Sequence, residues 1–182
     1  MFDDNYGLTE AVLQGRKTMT RRWADVRWSA GDINDKPVPK YKVGEVLAVA
    51  QSYKDLGYTK EWVEQHISPN PNANWNDPFE KKYPGWSNKM YVKAKWMQHH
   101  IRITDIKEER LQNISDEDCM CEGVMWDYDD YPIMSRKVYL INDYESFCSP
   151  RLAFASLINR IYGKSTWESN PWEFAYSFEL VK

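Results

Sequence analysis

The chain is poor in the features that mark membrane, secreted and nucleic-acid-coating proteins. No run approaches the ~20 consecutive apolar residues of a membrane-spanning helix. Cysteine is scarce: Cys119, Cys121 and Cys148 are the only three. They cannot all pair with one another and show no C-x-x-C spacing, which argues against a disulfide framework and for a reducing, cytoplasmic setting. The start, Met1-Phe2-Asp3-Asp4, is acidic and lacks the apolar stretch of a secretory signal. Positive charge is not in excess, since 24 Lys and Arg face 27 Asp and Glu. A uniformly basic coat is thereby excluded, while a local basic stripe is not. There is no internal repeat and no βαβ rhythm.

What is present is aromatic. Nine tryptophans in 182 residues serve either as core or as surfaces on which unstacked bases dock. The length suits one domain that can bury roughly 70% of its unfolded-chain surface without a metal or disulfide. Four stretches read as helix. These are residues 8–14 stopped by Gly15, residues 59–66 after the cap Thr59, residues 115–122 capped by Ser115 and stopped by Gly123, and residues 150–162. The last has Ser149 as cap, Pro150 in the first turn, Phe154, Ile158 and Ile161 on one face, and Gly163 as stop.

Strand signals are short. Residues 46–50 form an apolar run suited to a buried strand, and Ile101 and Ile103 alternate with polar neighbours until the phase slips near Asp105, as at a bulge. Residues 138–141 are a further candidate. Near the end, Phe174, Tyr176, Phe178 and Leu180 alternate with Glu173, Ala175, Ser177 and Glu179. Short strands with isolated helices predict an α+β domain on an antiparallel sheet or barrel. Residues 54–96, with the Asn/Pro-rich stretch 68–78, and residues 125–147, rich in Tyr and Asp, read as loop insertions.

Chemistry concentrates at Gly15-Arg16-Lys17-Thr18-Met19-Thr20-Arg21-Arg22. Its plain reading is a helix stop whose cations complement the negative helix end, followed by a strand. Its functional reading is a phosphate-sized positive site. On a flat strand Lys17 and Thr20 point to opposite faces, so they converge only if Lys17 lies in the turn after Gly15. Glu122, the last residue before Gly123, sits where a helix dipole disfavours negative charge, which makes it a candidate general acid. His99-His100 alternate across a strand and lack a partner at ligand spacing, so no metal is expected. Cys119-x-Cys121 reads as packing. Trp75 and Trp86 with Lys81, Lys82 and Lys89 form either a stacking surface or anchors for their loop. Arg102 and Lys107 either extend the basic stripe or face solvent as ordinary strand residues.

Gly15-x-Lys17-Thr18-x-Thr20-x-Arg22, a strand entered through Gly44-Glu45, and Arg110-Leu111-Gln112-Asn113-Ile114-Ser115 followed by Glu122-Gly123 occur in that order. Together they resemble the ASCH-domain family, whose fold is a small PUA-like antiparallel β-barrel with peripheral helices. The closing Trp167-x-x-Asn170-Pro171-Trp172 is similar to the end of phage- and prophage-type members. The resemblance implies one domain over residues 1–182 carrying the two insertions, with a basic cleft directed at RNA or a modified nucleoside and no cofactor. Arg16, Arg21, Arg22 and Tyr53 are its candidate binding residues. One branch of the family, bacterial acetylcytidine amidohydrolases, uses a Lys, a Thr and a Glu, which match Lys17, Thr20 and Glu122. Where phage-type members end the residue-46 strand with an Arg-Glu-Thr-Trp-like sequence, this chain has Ala50-Gln51-Ser52-Tyr53. Three functions follow as expectations: RNA or nucleoside binding without turnover, deacylation of an acylated nucleoside, and partner docking through the Trp- and Tyr-rich insertions.

Overall fold

A computed structural model describes residues 2–24, 38–69, 77–129, 136–142 and 145–181. Its helices are α1 (Leu8–Leu13), α2 (Lys60–His66), α3 (Pro78–Lys82), α4 (Asp116–Cys121), α5 (Pro150–Tyr162) and α6 (Thr166–Ser169). The strands are β1 (Met19–Trp23), β2 (Val46–Ala48), β3 (His100–Arg110), β4 (Met125–Asp129), β5 (Arg136–Asn142), β6 (Glu145–Phe147) and β7 (Trp172–Val181). The mixture is α+β, with a four-stranded sheet in the order β1-β7-β3-β2 and a three-stranded sheet in the order β4-β5-β6. Among the described residues, no helix is long and apolar enough to cross a membrane.

The four helices expected from capping signals are present, because their stop and start signals are local. Ser115 accepts from Asp118 N–H, Thr59 from Trp62 N–H and Ser149 from Leu152 N–H, each satisfying a first-turn donor that the helix leaves unpaired. On α5, Phe154 and Ile158 are buried. Arg151 of the same helix donates to the carbonyls of Ile114 and Gln112, tying the turn before α4 to α5.

The strands depart further from expectation. Val46 is 48% exposed, because β2 closes an end of its sheet's strand order instead of lying inside it; Val49 just beyond it is buried. Strand β3 runs unbroken through Asp105, and Glu109 is buried in phase with Ile101 and Ile103. In β7 the simple alternation fails: Glu173, Phe174, Ala175 and Tyr176 are consecutively buried, while Leu180 is exposed. Successive burial means that β7 is covered on both faces over this stretch, where the period of two is lost. Residues 125–147, expected as a loop, hold the β4-β5-β6 sheet, with Trp126 opposite Tyr139 and Tyr128 opposite Lys137.

The chain divides into two compact units. One comprises Asp3–Val46 and Arg102–Leu180, and holds β1, α4, α5 and most of β3 and β7. The other is built on Leu47–Ile101, which contains the whole of the expected insertion 54–96. That segment packs by itself because its aromatics supply a core: Tyr53, Val63, Tyr83 and Val92 are buried, with Tyr58, Trp62, Phe79, Trp86 and Trp96 against them. Trp86 is therefore an anchor of this unit, meeting Phe79 edge-on at 5.4 Å. Lys89 is buried and donates to the Phe2 carbonyl at 2.5 Å, so it does not form a surface cation as the stacking reading required. Trp75 and most of the Asn/Pro-rich stretch lie outside the described residues.

Tyr53 is held in that core by Gly85, whose φ of +108° favours glycine and where a Cβ would stand 2.9 Å from the Tyr53 ring. Gly85→Ala is expected to destabilise this unit by ~1–3 kcal/mol, read as a lowered denaturant midpoint at unchanged slope. An unchanged midpoint would show that the ring moves aside freely.

Candidate functional site

The basic segment is shaped by a turn. Gly15 takes φ +72°, and the N–H groups of Arg16 and Lys17 both donate to Ala11 O at 2.9 Å, so the chain leaves α1 tightly wound. Lys17 thus lies in the turn and precedes β1, the condition under which it and Thr20 can face one region. Thr18 N–H then donates to Cys121 O at 2.9 Å, stitching the segment to the end of α4. The helix terminus that Lys17 complements is therefore that of α4, not of α1.

At that terminus Lys17 Nζ donates to the Glu122 main-chain carbonyl at 2.7 Å and to its carboxylate Oε2 at 2.5 Å. Both side chains are buried, with Lys17 2% and Glu122 4% exposed. Burial drives the Lys17 pKa below the ordinary lysine value of 10.5, the Glu122 charge opposing it and the Arg22 and Arg21 charges adding to it. Glu122 itself occupies the C-cap of α4, followed by Gly123 at φ +105°. Thr20, on β1 opposite Tyr176, is also buried.

Arg21 is the hub beside this pair. Its Nη1 donates to Glu122 Oε1 at 3.0 Å, and its Nη2 to Glu109 Oε1 at 2.8 Å and Asp118 Oδ2 at 3.3 Å. Its Nε stands 2.7 Å from Glu173 Oε1, without the N–H direction of a hydrogen bond. The guanidinium also lies 5.7 Å from the centroid of the Phe154 ring. With Arg21 only 4% exposed and engaged by four carboxyl groups, its charge is committed within the protein. As placed, Arg21 positions carboxylates and offers no outward grip on a phosphate.

Burial singles out one acid. Lys17, Arg21 and Lys107 pair with Glu109, Asp118, Glu122 and Glu173, and the four carboxyl groups are not held alike. Glu109 is held below the ordinary range: burial opposes this, but its bonds to Lys107 and Arg21 outweigh it. Glu173 is the one pushed up, to about 8, by burial, with Arg21 opposing and the charges of Glu122 and Glu109 adding. It is protonated at neutral pH. Glu109 and Glu173 escaped sequence reasoning because each reads as an ordinary polar strand residue. Lys107 pairs with Glu109 at 2.6 Å and half-covers the cluster from the solvent side; Arg102 pairs instead with Glu179.

The other expected residues scatter. Arg22 is half-buried, donating through Nη1 to the Arg21 main-chain carbonyl at 2.9 Å and to the Tyr162 hydroxyl oxygen at 3.2 Å, with the exposed Trp23 edge-on to Tyr162. Arg16 is exposed and donates to Gln14. Tyr53 belongs to the other unit, where it is 1% exposed in the aromatic core. Cys119 is fully buried, its thiol pushed up to about 12 by burial, which makes it packing and not a nucleophile. Among the described residues, no group of three His, Cys, Asp or Glu is placed to hold a metal ion. No family model, curated protein or solved structure matches the chain.

The Glu173 proton has a measurable sign. Its folded-state value, about 8, exceeds the ordinary 4.5, so the folded state binds more protons between those limits. Stability contributed by the neutral acid is present at pH 4.5 and lost as pH rises through 8, a few kcal/mol in all. Glu173→Gln is expected to flatten the denaturation midpoint between pH 5 and 8.5 relative to wild type. Parallel profiles for the two proteins would show that Glu173 is ionised throughout.

Proposed function

We propose that the buried Lys17–Glu122 pair, with Thr20, hydrolyses the amide of an N-acylated nucleoside. The observation that carries this reading is the lysine ammonium, 2% exposed and 2.5 Å from a carboxylate that lies 105 residues away in sequence. A surface lysine keeps its proton to pH ~10, whereas burial lowers that barrier to serving as a base. The α+β fold, with its curved sheet and flanking helices, is compatible with the PUA-like barrel that the ordered motifs resemble, and the three residues match that family's amidohydrolase branch.

The pair suits amide cleavage because one proton serves two roles. Transfer of the proton from Lys17 Nζ to Glu122 Oε2 turns the ion pair into a neutral amine and a neutral acid. Thr20 Oγ1 then attacks the amide carbonyl carbon as Lys17 takes the hydroxyl proton. Collapse of the tetrahedral adduct breaks the C–N bond, and the Glu122 proton goes to the leaving nitrogen. Water hydrolyses the acyl-threonine ester, releasing the carboxylic acid and restoring the Thr20 hydroxyl. The cycle consumes one water and returns the ion pair. Arg21 stays bonded to Glu122 throughout and fixes its orientation.

A second reading, binding of RNA or a nucleotide without turnover, is favoured by Trp23, 38% exposed beside Arg22 and Tyr162. There Arg22 and Arg16 supply the outward charge, since Arg21 is engaged. Docking of a protein partner through the Trp- and Tyr-rich segments is the third.

Incubation with N4-acetylcytidine, with acetate release as the readout, separates them. Turnover is expected, with Lys17→Ala and Thr20→Ala each lowering kcat/KM by at least ~10³ while circular dichroism stays native. The alkaline limb of the pH profile should lie below 10.5, because the pair loses its shared proton at the lowered Lys17 value. No acetate from this or related acylated nucleosides, with nucleotide binding weakened by Arg16→Ala/Arg22→Ala, would leave the binding reading. Turnover untouched by Thr20→Ala would remove threonine from the chemistry.

A further inference from the structure

The Leu47–Ile101 unit has a cavity of its own, about 220 Å³ in volume. Four rings line it, those of Tyr53, His66, Tyr91 and Trp96, together with the ammonium-bearing side chains of Lys93 and Lys95. Among the described residues the rest of the lining is uncharged, with no carboxylate beside the two cations within the cavity. This contrasts with the buried cluster around Arg21, where every cation faces a carboxylate.

The walls are braced from behind. Trp62 stacks on His66 at 4.4 Å and on Tyr58 at 3.9 Å, and meets Trp96 edge-on at 5.0 Å. His66 Nδ1 lies 2.8 Å from the Trp62 carbonyl, which fixes the imidazole's rotation. Tyr53 is locked by its approach to Gly85. By contrast, the outward groups are open to solvent: Tyr91 is 49% exposed, and Lys93 and Lys95 are exposed as well. Lys95 Nζ stands 4.8 Å from the Trp96 ring centroid, so charge and π-surface meet at one place.

Rings with flat faces select a planar, polarisable ligand, and two uncompensated ammonium groups select an anion joined to it. Both requirements are met by a nucleobase carrying a phosphate. The volume falls under the ~300–1,000 Å³ of sites for drug-sized ligands, which suits one base with its phosphate at the mouth and not a dinucleotide. We propose that this cavity binds a single nucleotide, its base among Tyr91, His66 and Trp96 and its phosphate on Lys93 and Lys95. The nucleotide is either free or one residue of a single strand. This site is separate from the Lys17–Glu122 chemistry and does not depend on it.

Isothermal titration of the full chain with AMP, UMP, inorganic phosphate and an eight-residue oligouridylate tests the proposal. AMP and UMP are expected to bind more tightly than phosphate, and the exposed-site variant Lys93→Ala/Lys95→Ala to weaken them at least 10-fold. Tyr91→Ala should weaken AMP while leaving the far weaker phosphate binding as it is. Thr20→Ala should bind AMP as wild type does, which separates this site from the proposed catalytic one whether or not acetate is released there. Oligouridylate binding tighter than UMP marks a strand as the source, and equal affinity marks the free nucleotide. Three results would overturn the proposal: no binding of any nucleotide at millimolar concentration, phosphate bound as tightly as AMP, or affinities unchanged in the double-lysine variant.

Discussion

The guanidinium of Arg21 is the constraint on which the buried site depends. Elements distant in sequence, β3, α4 and β7, each bring a carboxyl group to it, through Glu109, Asp118 with Glu122, and Glu173. An unpaired guanidinium in such a place carries a large desolvation cost, and so does each carboxylate; together they offset one another. Removal of one partner therefore disturbs the others. This is why the site is read best as a network instead of as separate salt bridges.

The same network explains how Lys17 is tuned. Arg21 neutralises one oxygen of Glu122 and leaves the other to Lys17, so the lysine has a partner that is itself shared. Burial is then free to outweigh that partner and lower the Lys17 pKa. Burial pushes Glu173 the other way, up to about 8. A basic run in the sequence has become, after folding, part of a cluster rich in carboxyl groups, with one lysine whose pKa burial lowers. The electropositive surface suggested by four cations in seven residues is reduced to Arg16 and Arg22.

The Leu47–Ile101 unit follows a different logic. Its core is aromatic, and Lys93 and Lys95 at the cavity are exposed, with no carboxylate in the described lining. A stacked ladder of Tyr58, Trp62 and His66 holds the cavity wall rigid, a property suited to a surface that receives a flat ligand. Tyr53, one of the expected binding residues, lines this cavity.

By itself the sequence determined the helices, because caps, dipole-matched charges and stop glycines act within a turn or two of chain: Ser115 to Gly123 and Ser149 to Gly163 carry their own boundaries. It also determined that Gly15 must open a turn if Lys17 and Thr20 are to share a region, and it marked Glu122 by its place at a helix end. Only the tertiary structure decided which charges meet. Glu109 and Glu173 look like solvent-facing strand residues until packing over β3 and β7 buries them. The insertion's aromatics likewise became a separate core, and its lysines a cavity rim, only once the chain had folded. Side-chain convergence across about a hundred residues leaves no local signal, because burial, which decides whether a charge needs a partner, is a property of the packed fold.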